Sequence, residues 1–568
     1  MAGWATFPYC RGVPRVAWVV DLAHSGLAAE VAGLRARLAA AGLVDAGEPT
    51  GAGDLRSADI VVVWADRPLT ADLARALADP GVRTVVAGPT ITEADPDGVL
   101  AEAAGLLLGG TTPVHDIRVR PGAATLPALL PVAHQHSGGG HMGHHDHLTD
   151  RVVLVDKTAD DVQVLLAARI GLAEHPVLSW RPATATAVWT LGTQVDAVAD
   201  RSSTRALVQL LRLVAGVPDA PPVRVGLLGY GAIGHEHSRA VRSVAGLSLA
   251  AVCDTSAERL AAAGSAAPGV ALTDSAEALF DRDDVDLVVV STPPRTHAEW
   301  ALRALRAGKH VVVEKPFAIR TAEADAVLAE ADATGRLAVV YQNRRYDPDY
   351  LGLRRLVRSG ALGDLFHVET FVGGYGHPCN LWHSDEEVSG GAFYDWGSHV
   401  LDQVLDLLPN EISHVTAATH KRRWFDVTNA DHSRVTVRFV DGVEAEFVHS
   451  DLAAALKPRW YVLGTSGAVV GHWRREKVVS RNDIGTLEED LLAPADSPPL
   501  LELHGSDGSV TRVATPAPEP YGFHREVADR VRLGLPMGVT GLQSRRVLAV
   551  MEAARASAAD DGRPVTPR

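Results

Sequence analysis

The stretch that most constrains the fold is the glycine-rich run at 223–241, VRVGLLGYGAIGHEHSRAV. A short apolar segment precedes Gly229, Gly231 and Gly234, and a helix-forming segment follows them. This order predicts a buried strand, a tight turn and a helix whose N-terminus faces a phosphate group. Asp254 lies 254 − 234 = 20 residues after the third glycine, at the end of the next apolar segment. The run therefore predicts a dinucleotide-binding unit in which Asp254 bonds the adenosine ribose hydroxyls.

Two more predicted strands end in this unit, in the segment DVDLVVVSTPPRTHAEWALRALRAGKHVVVEKP at 284–316. Parallel α/β sheets bind ligands beyond the carboxyl ends of their strands. Polar residues and prolines stand at both ends, which a central strand would not tolerate. Together with the glycine turn, they give the predicted cofactor-binding residues Gly229, Gly231, Ala232, Ile233, Gly234, Asp254, Ser291, Thr292, Pro293, Glu314 and Lys315.

Length and charge narrow the possible classes of protein. The chain has 568 residues, enough for about three or four domains of ordinary size. Its formal net charge of −15 argues against nonspecific binding to nucleic acid or to an anionic membrane. The N-terminus has no long apolar run, and no stretch is long enough to cross a bilayer. Three cysteines, Cys10, Cys253 and Cys379, fit neither a zinc site nor a disulfide framework, so we expect a cytoplasmic protein with reduced thiols.

A proline-rich stretch at 215–224, AGVPDAPPVR, separates a first unit from the dinucleotide-binding unit. In this first unit, predicted strands at 15–23, 59–65 and 83–88 alternate with helices such as 26–43, which indicates a parallel sheet. It contains no nucleophile-elbow motif. Its segment VLSWRPATATAVWTLGT, the later STRALVQLLRLVAG and LLLGG at 106–110 resemble the ThuA-like branch of the class I glutamine-amidotransferase fold. The resemblance implies a flavodoxin-like sheet without a nucleophile over 14–217.

A histidine-rich segment, HQHSGGGHMGHHDH at 134–147, lies inside this first unit. Clustered imidazoles and a carboxylate are ligands that suit Zn²⁺ or Ni²⁺. The glycines, however, do not fix ligand geometry, so we favour a mobile surface loop with adventitious metal affinity and predict no functional metal site. The residues concerned are His134, His136, His141, His144, Asp146, His145 and His147.

The remainder of the chain resembles the Gfo/Idh/MocA oxidoreductases, the glucose–fructose oxidoreductase and inositol dehydrogenase family. The matching motifs occur in order: the glycine-rich turn, AGKHVVVEKP, YQNRRYDP at 341–348, SGGAFYDWGSHVLDQVLDLL at 389–408 and the tail at 534–565. The resemblance implies a Rossmann domain over 222–342. It also implies a second, mostly antiparallel sheet domain over 343–568, which carries the substrate side and the contacts of a homo-oligomer.

The same resemblance implies roles for individual residues. Lys315 contacts nicotinamide and substrate, and Asp395 and His399 are catalytic. We expect Arg344 and Arg345 on the substrate side. Trp382 and His383 are candidate substrate contacts within the loop 373–388, which is individual to this chain. The chain also departs from the family at Pro294 and Arg295, where an asparagine is common.

The chemistry of these side chains fits hydride transfer from a secondary alcohol. Asp395 and His399 are four residues apart and share a face if the segment is helical. An imidazole is a natural base at neutral pH, and we expect it to titrate near or above about 6.5. The Lys315 ammonium would stabilise the developing alkoxide. A surface pair on a helix is the alternative reading of Asp395 and His399, which the dinucleotide site in the same chain disfavours.

We therefore expect an NAD(P)-dependent dehydrogenase that acts on a sugar, cyclitol or related polyol. NAD is favoured over NADP, because Asp254 would repel a 2′-phosphate and Arg259 is the nearest cation to offset it. A redox-neutral epimerase or lyase that recycles bound NAD is an alternative. A ligand-sensing protein without catalysis is another, which the retention of Lys315 and His399 disfavours.

Overall fold

The computed structural model describes residues 15–21, 44–47, 55, 58–65, 69–87, 99–104, 106–112, 119–121, 152–170, 173–184, 186–189, 208, 210–212, 214, 220–378, 384–472, 475–482, 485–492, 500–515 and 521–568. They form two compact units. The first comprises 1–222, 243–246 and 525–537, and the second comprises 223–242, 247–524 and 538–568.

The first unit contains an eight-stranded sheet in the order β2-β1-β3-β4-β10-β9-β8-β6. A separate pair, β5 and β7, runs antiparallel. The strands are β1 (Arg15–Asp21), β2 (Val44–Gly47), β3 (Ile60–Ala65), β4 (Thr84–Ala87), β5 (Leu106–Thr112), β6 (Val119–Pro121), β7 (Val152–Thr158), β8 (Gln163–Ile170), β9 (Ala173–Arg181) and β10 (Thr186–Trp189). The helices are α1 (Ala71–Leu77) and α2 (Val99–Ala103), with a 3₁₀ turn at Pro182–Thr184.

The predicted strands at 15–23, 59–65 and 83–88 are confirmed as β1, β3 and β4, and these strands are parallel. Their β-branched side chains, such as Val61, Val63 and Val86, are buried with Leu77 and Leu100 in one core. Strands β10 and β9 pair antiparallel, as do β9 with β8 and β8 with β6. The sheet is thus mixed, whereas the alternating pattern predicts only parallel strands. The predicted helix at 26–43 and the segment 134–147 lie outside the described residues.

The second unit begins with a six-stranded parallel sheet in the order β13-β12-β11-β14-β15-β16. This is the 3-2-1-4-5-6 order of a Rossmann sheet, which confirms the predicted dinucleotide-binding fold. The strands are β11 (Val223–Leu228), β12 (Leu247–Cys253), β13 (Ala271–Thr273), β14 (Leu287–Val290), β15 (His310–Val313) and β16 (Ala338–Val340). The helices are α3 (Ala232–Ser243), α4 (Ala257–Ala266), α5 (Ala276–Phe280), α6 (His297–Arg306) and α7 (Thr321–Thr334), with a 3₁₀ turn at Pro294–Thr296.

The central strands of this sheet are apolar throughout because helices cover both faces. All four residues of β14, Leu287–Val290, and all four of β15, His310–Val313, are buried. The strand pair is in register from Leu287 opposite His310 to Val290 opposite Val313. Both strands therefore end at the same edge of the sheet, where the polar residues that follow them meet.

A second sheet of eight strands follows in the order β18-β19-β20-β17-β21-β22-β25-β26. Only β17 and β20 are parallel within it, so the predicted mostly antiparallel sheet is confirmed. Its strands are β17 (Leu365–Gly373), β18 (Ile412–His420), β19 (His432–Phe439), β20 (Glu444–Ser450), β21 (Trp460–Gly464), β22 (Gly467–His472), β25 (Leu500–Gly505) and β26 (Val510–Arg512); β23 (Arg475–Asn482) and β24 (Gly485–Leu492) form a separate hairpin. The helices are α8 (Pro348–Arg358), α9 (Glu386–Ser389), α10 (Ala392–Leu407), α11 (Gly522–Leu533) and α12 (Gly541–Ala559), after a 3₁₀ turn at Asn343–Tyr346.

A buried ion pair fixes α10 against the segment that leaves the Rossmann sheet. Arg345 donates two hydrogen bonds to the carboxylate of Asp402, one of them at 2.8 Å, and lies 2.8 Å from Asp406. It also donates to the carbonyl oxygen of Gly538 at 3.2 Å. Arg345 and Asp402 are 4% and 1% exposed, so neither charge would be tolerated there without the other. The pair therefore holds the helix that carries Asp395 and His399 in place.

Candidate functional site

Two positions of the glycine-rich turn after β11 require glycine. Gly229 has a φ of +96°, and a Cβ there would lie 2.6 Å from the carbonyl oxygen of Ser291. A Cβ at Gly234 would lie 2.6 Å from the carbonyl oxygen of Gly229. The Ser291 hydroxyl lies 2.8 Å from that same Gly229 oxygen. The turn is thus packed against the end of β14, and α3 begins directly after Gly231, as the sequence predicts.

Asp254 follows β12 and closes this turn from the other side. Its carboxylate accepts hydrogen bonds from the backbone N–H groups of Tyr230 at 2.7 Å and Ser256 at 2.8 Å. Arg259 lies 3.8 Å away, with its side chain 41% exposed. Asp254 is therefore held beside the glycine turn, where a carboxylate can meet a ribose hydroxyl.

The glycine turn, the N-terminus of α3 and Asp254 together fit a dinucleotide. Helix N–H groups that have no partner within the helix are suited to a pyrophosphate, and the absence of a Cβ at Gly229 allows close approach of the backbone. Gly231, Ala232 and Ile233 stand at this helix start. The residues present are the ones that would hold NAD(P).

The end of β14 forms the next wall of the site. The hydroxyl groups of Thr292 and Thr296 lie 2.8 Å apart, and Pro293 leads into the 3₁₀ turn before α6. His297 lies between two carbonyl oxygens, with Nδ1 2.7 Å from Pro316 and Nε2 2.8 Å from Thr292. His297 thereby ties the segments after β14 and β15 together.

The Glu-Lys-Pro motif follows β15, and its first two side chains point to different partners. Glu314 is buried, and its carboxylate lies 2.8 Å from His237 Nε2 and accepts the backbone N–H of Lys315 at 3.0 Å. The Lys315 ammonium donates to the Asp395 carboxylate at 2.6 Å. The peptide bond between Lys315 and Pro316 is cis. The motif therefore ends a buried strand with one fixed carboxylate and one ammonium directed to α10.

Helix α10 confirms that Asp395 and His399 lie on one helix, and a pair of glycines precedes it. Gly390 and Gly391 have φ values of +90° and +96°, which side chains rarely adopt. The Ser389 hydroxyl accepts the N–H of Gly391 at 3.1 Å. Asp395 lies in the first turn of the helix, where the helix dipole favours a carboxylate.

His399 is one turn further along α10 and is only 7% exposed. Its ring packs edge-on against Trp396, with ring centroids 6.2 Å apart. Burial lowers the pKa of His399 well below its usual value, and the cations of Lys315, Arg344 and Arg459 lower it further. The expectation that His399 titrates near or above 6.5 is therefore wrong in direction, because the sequence shows neither the burial of this side chain, which has the largest effect, nor the proximity of Arg459.

A cavity brings six of the predicted site residues together: Ile233, Ser291, Thr292, Glu314, Lys315 and Asp395. Its wall contains residues from the start of α3, from the ends of β14 and β15, and from Ser389 and the first turn of α10. It is lined by Ile233, Ser291, Thr292, Pro294, His297, Glu314, Lys315, Pro316, Ser389 and Asp395. Lys315 and Asp395 thus share a cleft with part of the predicted cofactor-binding set, whereas His399 and Asp254 are not among its lining residues.

The candidate substrate residues divide into three groups. Arg344 is partly exposed, and its guanidinium lies 4.8 Å from the centre of the Trp396 ring, beside His399. Arg345 is buried in the pair with Asp402 and Asp406, so its geometry argues against the predicted substrate contact. Trp382 and His383 lie outside the described residues.

Three polar residues of the site were not predicted from the sequence. His237 and His524 form a buried pair behind Glu314, with His237 Nδ1 2.9 Å from His524 Nε2. Arg459 is buried beside His399 and donates to Thr370 and, at 2.6 Å, to Gln403. Only His237 carried a signal, because it lies three residues after Gly234, one helical turn into α3.

The remaining features considered from the sequence are the cysteines, the histidine-rich segment and possible metal sites or membrane helices. Cys253 is buried, and burial raises the pKa of its thiol to about 11, so the thiol is unreactive. Cys10, Cys379 and the histidine-rich segment 134–147 lie outside the described residues. Within the part of the chain that the structure describes, no group of three or more His, Cys, Asp or Glu residues could hold a metal ion. In that same part, no helix is long and apolar enough to cross a membrane.

Two family profiles match the second unit. The profile described as "Oxidoreductase family, NAD-binding Rossmann fold" matches residues 223–342. The profile described as "GFO/IDH/MocA C-terminal domain" matches residues 350–470. The two matches cover the Rossmann sheet and most of the second sheet.

Individual proteins align with the same part of the chain. The scyllo-inositol 2-dehydrogenase (NADP(+)) IolW of Bacillus subtilis (strain 168) is 25% identical over 358 residues, which are 61% of this chain and 97% of that protein. The uncharacterized oxidoreductase YdgJ of Escherichia coli (strain K12) is 31% identical over 251 residues, 44% of this chain and 70% of that protein. The crystal structure of an NAD-binding protein from Listeria innocua is 26% identical with a TM-score of 0.51, and the match covers 61% of this chain and 96% of that chain.

We predict that Gly229→Ala weakens NAD binding about 10- to 100-fold, because the added Cβ meets the Ser291 carbonyl and the positive φ is strained. Gly269→Ala is the matched control, since Gly269 has a φ of +88° but no atom within 4 Å of the added Cβ. The measurement is isothermal titration of each protein with NAD⁺. Equal loss of affinity in both variants would show that backbone strain alone is responsible, and unchanged affinity in Gly229→Ala would contradict the assigned turn.

Proposed function

Since the chain belongs to the Gfo/Idh/MocA oxidoreductase family, we propose that it is an NAD-dependent dehydrogenase that oxidises a secondary alcohol of a sugar or cyclitol. The observation that carries the proposal is the 2.6 Å contact between Lys315 and Asp395 in a cleft that is also lined by Ile233, directly after the glycine turn, and by the end of β14. An ammonium and a carboxylate so placed can bind and polarise a hydroxyl group next to a dinucleotide.

Each side chain has a distinct role in this proposal. Bound NAD⁺ supplies the hydride acceptor. The Lys315 ammonium stabilises the alkoxide that forms as the hydroxyl loses its proton. Asp395 fixes the ammonium and accepts a hydrogen bond from a neighbouring hydroxyl. His399 takes the proton on its ring nitrogen, since burial and the surrounding cations keep its imidazole neutral at pH 7.

The substrate class follows from the relatives and from the site. The B. subtilis relative is named for an inositol, a ring with a hydroxyl group on each carbon. A cleft with an ammonium, a carboxylate and the Ser389 hydroxyl offers both donors and acceptors to such a molecule. Arg344 would extend these polar contacts, because it is partly exposed beside His399.

The cofactor preference follows from Asp254. Two backbone N–H groups fix that carboxylate beside the turn. The adenosine ribose hydroxyls of NAD can donate to it, whereas a 2′-phosphate would be repelled. The B. subtilis relative is named as an NADP(+) enzyme, and we propose the opposite preference for this chain.

The wider organisation is part of the proposal. We place domain boundaries at 14–217, 222–342 and 343–568. The order β2-β1-β3-β4-β10 of the parallel strands supports a flavodoxin-like, ThuA-like first domain. A homo-oligomer formed through the second sheet is supported by the exposed Phe366 and Tyr461 on its strands, 49% and 38% exposed.

We predict that Lys315→Met lowers turnover by about 10²–10³, because the variant keeps the apolar stem and loses the charge that stabilises the alkoxide. The measurement is initial-rate formation of NADH in a screen of inositols and sugars with NAD⁺ and NADP⁺. Lys309→Met is the matched control, since Lys309 precedes the same strand and donates to the Arg282 carbonyl at 2.7 Å.

Unchanged turnover in Lys315→Met would contradict the proposal. Oxidised substrate with no accumulation of NADH would favour a redox-neutral enzyme that recycles its cofactor. No product with any substrate of the screen would count against a sugar or cyclitol dehydrogenase.

We predict that kcat/KM for alcohol oxidation rises with pH on a limb centred below about 6.5, because the pKa of His399 is lowered and the neutral ring is the base. His399→Asn should lose about 10²–10⁴ in turnover and lack this limb. The measurement is a pH–rate profile of both proteins. A limb centred above pH 7 in the parent, or the parent's limb retained in the variant, would assign the proton to another group.

A further inference from the structure

A buried hydrogen-bond chain stands behind the catalytic cleft. It starts at His524 near the beginning of α11, passes through His237 on α3 and ends at Glu314 after β15. His524 Nε2 lies 2.9 Å from His237 Nδ1, and His237 Nε2 lies 2.8 Å from the Glu314 carboxylate. His237 is 0% exposed, His524 4% and Glu314 6%.

The protons along this chain have one consistent arrangement. Glu314 accepts from the backbone N–H of Lys315, and its other oxygen needs a proton from His237 Nε2. If His237 is neutral with the proton on Nε2, its Nδ1 accepts from His524 Nε2–H. His524 Nδ1 is then a bare acceptor, in agreement with its having no hydrogen-bond partner among the described residues. A protonated His237 would instead leave a buried N–H of His524 without a partner, which costs more.

In this arrangement Glu314 carries a negative charge at the cavity wall. Among the described residues that line the cavity, the charged groups are Glu314, Lys315 and Asp395, and the latter two form an ion pair at 2.6 Å. His297 also lines the cavity; burial lowers its pKa, against the opposing effect of the carbonyl oxygens of Pro316 and Thr292 that its ring nitrogens contact. The two neutral histidines stabilise the Glu314 carboxylate by hydrogen bonding without cancelling its charge.

We propose that the chain of His524, His237 and Glu314 holds a fixed negative charge that favours the oxidised, cationic nicotinamide over the neutral reduced form. The inference rests on the proposed function, since it requires the cleft to take a nicotinamide dinucleotide. A charge one residue from Lys315 acts on a ring whose own charge changes by one unit on reduction. It lowers the affinity for NADH relative to NAD⁺ and so favours release of the reduced cofactor.

The test is the ratio of the dissociation constants, Kd(NADH)/Kd(NAD⁺), measured by isothermal titration on the full-length protein. Glu314→Gln keeps the size of the side chain and removes the charge, so the ratio should fall by about tenfold or more, mainly through weaker NAD⁺ binding. His237→Leu should lower the ratio too, because it removes the side-chain donor that stabilises the buried Glu314 carboxylate. His237→Gln keeps a donor for Glu314 and should restore the parental ratio.

His310→Asn is the structural control, because His310 is buried at the start of the same strand and accepts the N–H of Leu337. A ratio equal to the parent's in Glu314→Gln or His237→Leu, or equal weakening of both forms, would overturn the inference. A parent that binds neither form would instead overturn the proposed function on which it rests.

Discussion

The site depends on the ion pair between Lys315 and Asp395. Lys315 comes from the end of a Rossmann strand, and Asp395 comes from the first turn of the helix that packs on the second sheet. The two side chains are 21% and 38% exposed, so the pair lies in an open cleft and contributes little to folding stability. Its importance is positional, because it places one cation and one anion next to the glycine turn.

Stability of this arrangement comes from elsewhere in the unit. The buried Arg345 holds α10 through Asp402 and Asp406, and the chain from His524 to Glu314 holds the residue before Lys315. Arg345 is paired with two carboxylates, and Glu314 accepts hydrogen bonds from His237 and from the backbone N–H of Lys315, so each buried charge is stabilised by polar contacts. The catalytic side chains can thus remain partly exposed while the backbone that carries them is fixed by buried polar contacts.

The sequence predicts those parts of the site that depend on local pattern. The glycines after β11 and the acid after β12 have fixed spacing because one turn and one βαβ unit have fixed lengths, and the structure places both as expected. The contacts of Arg345, His237 and Arg459 could not be predicted, because their partners lie far away along the chain, 287 residues in the case of His237 and His524. The same limit explains the wrong direction for the pKa of His399, since its burial, the largest cause, and the three nearby cations depend on separate segments of the chain. The first sheet is mixed for a related reason, because alternation of strands and helices does not specify the direction of its last three strands.

The central claim is that Lys315 and Asp395 act as one catalytic unit. It is tested most directly by a double-mutant cycle that combines Lys315→Met and Asp395→Asn. The quantity measured is kcat/KM for oxidation of the alcohol substrate. If the two act together, the double variant should be no more than about tenfold worse than the poorer single variant, because either change already removes the unit. Effects that multiply, so that the loss in the double variant equals the product of the two single losses, would show that the residues act independently and would contradict the account.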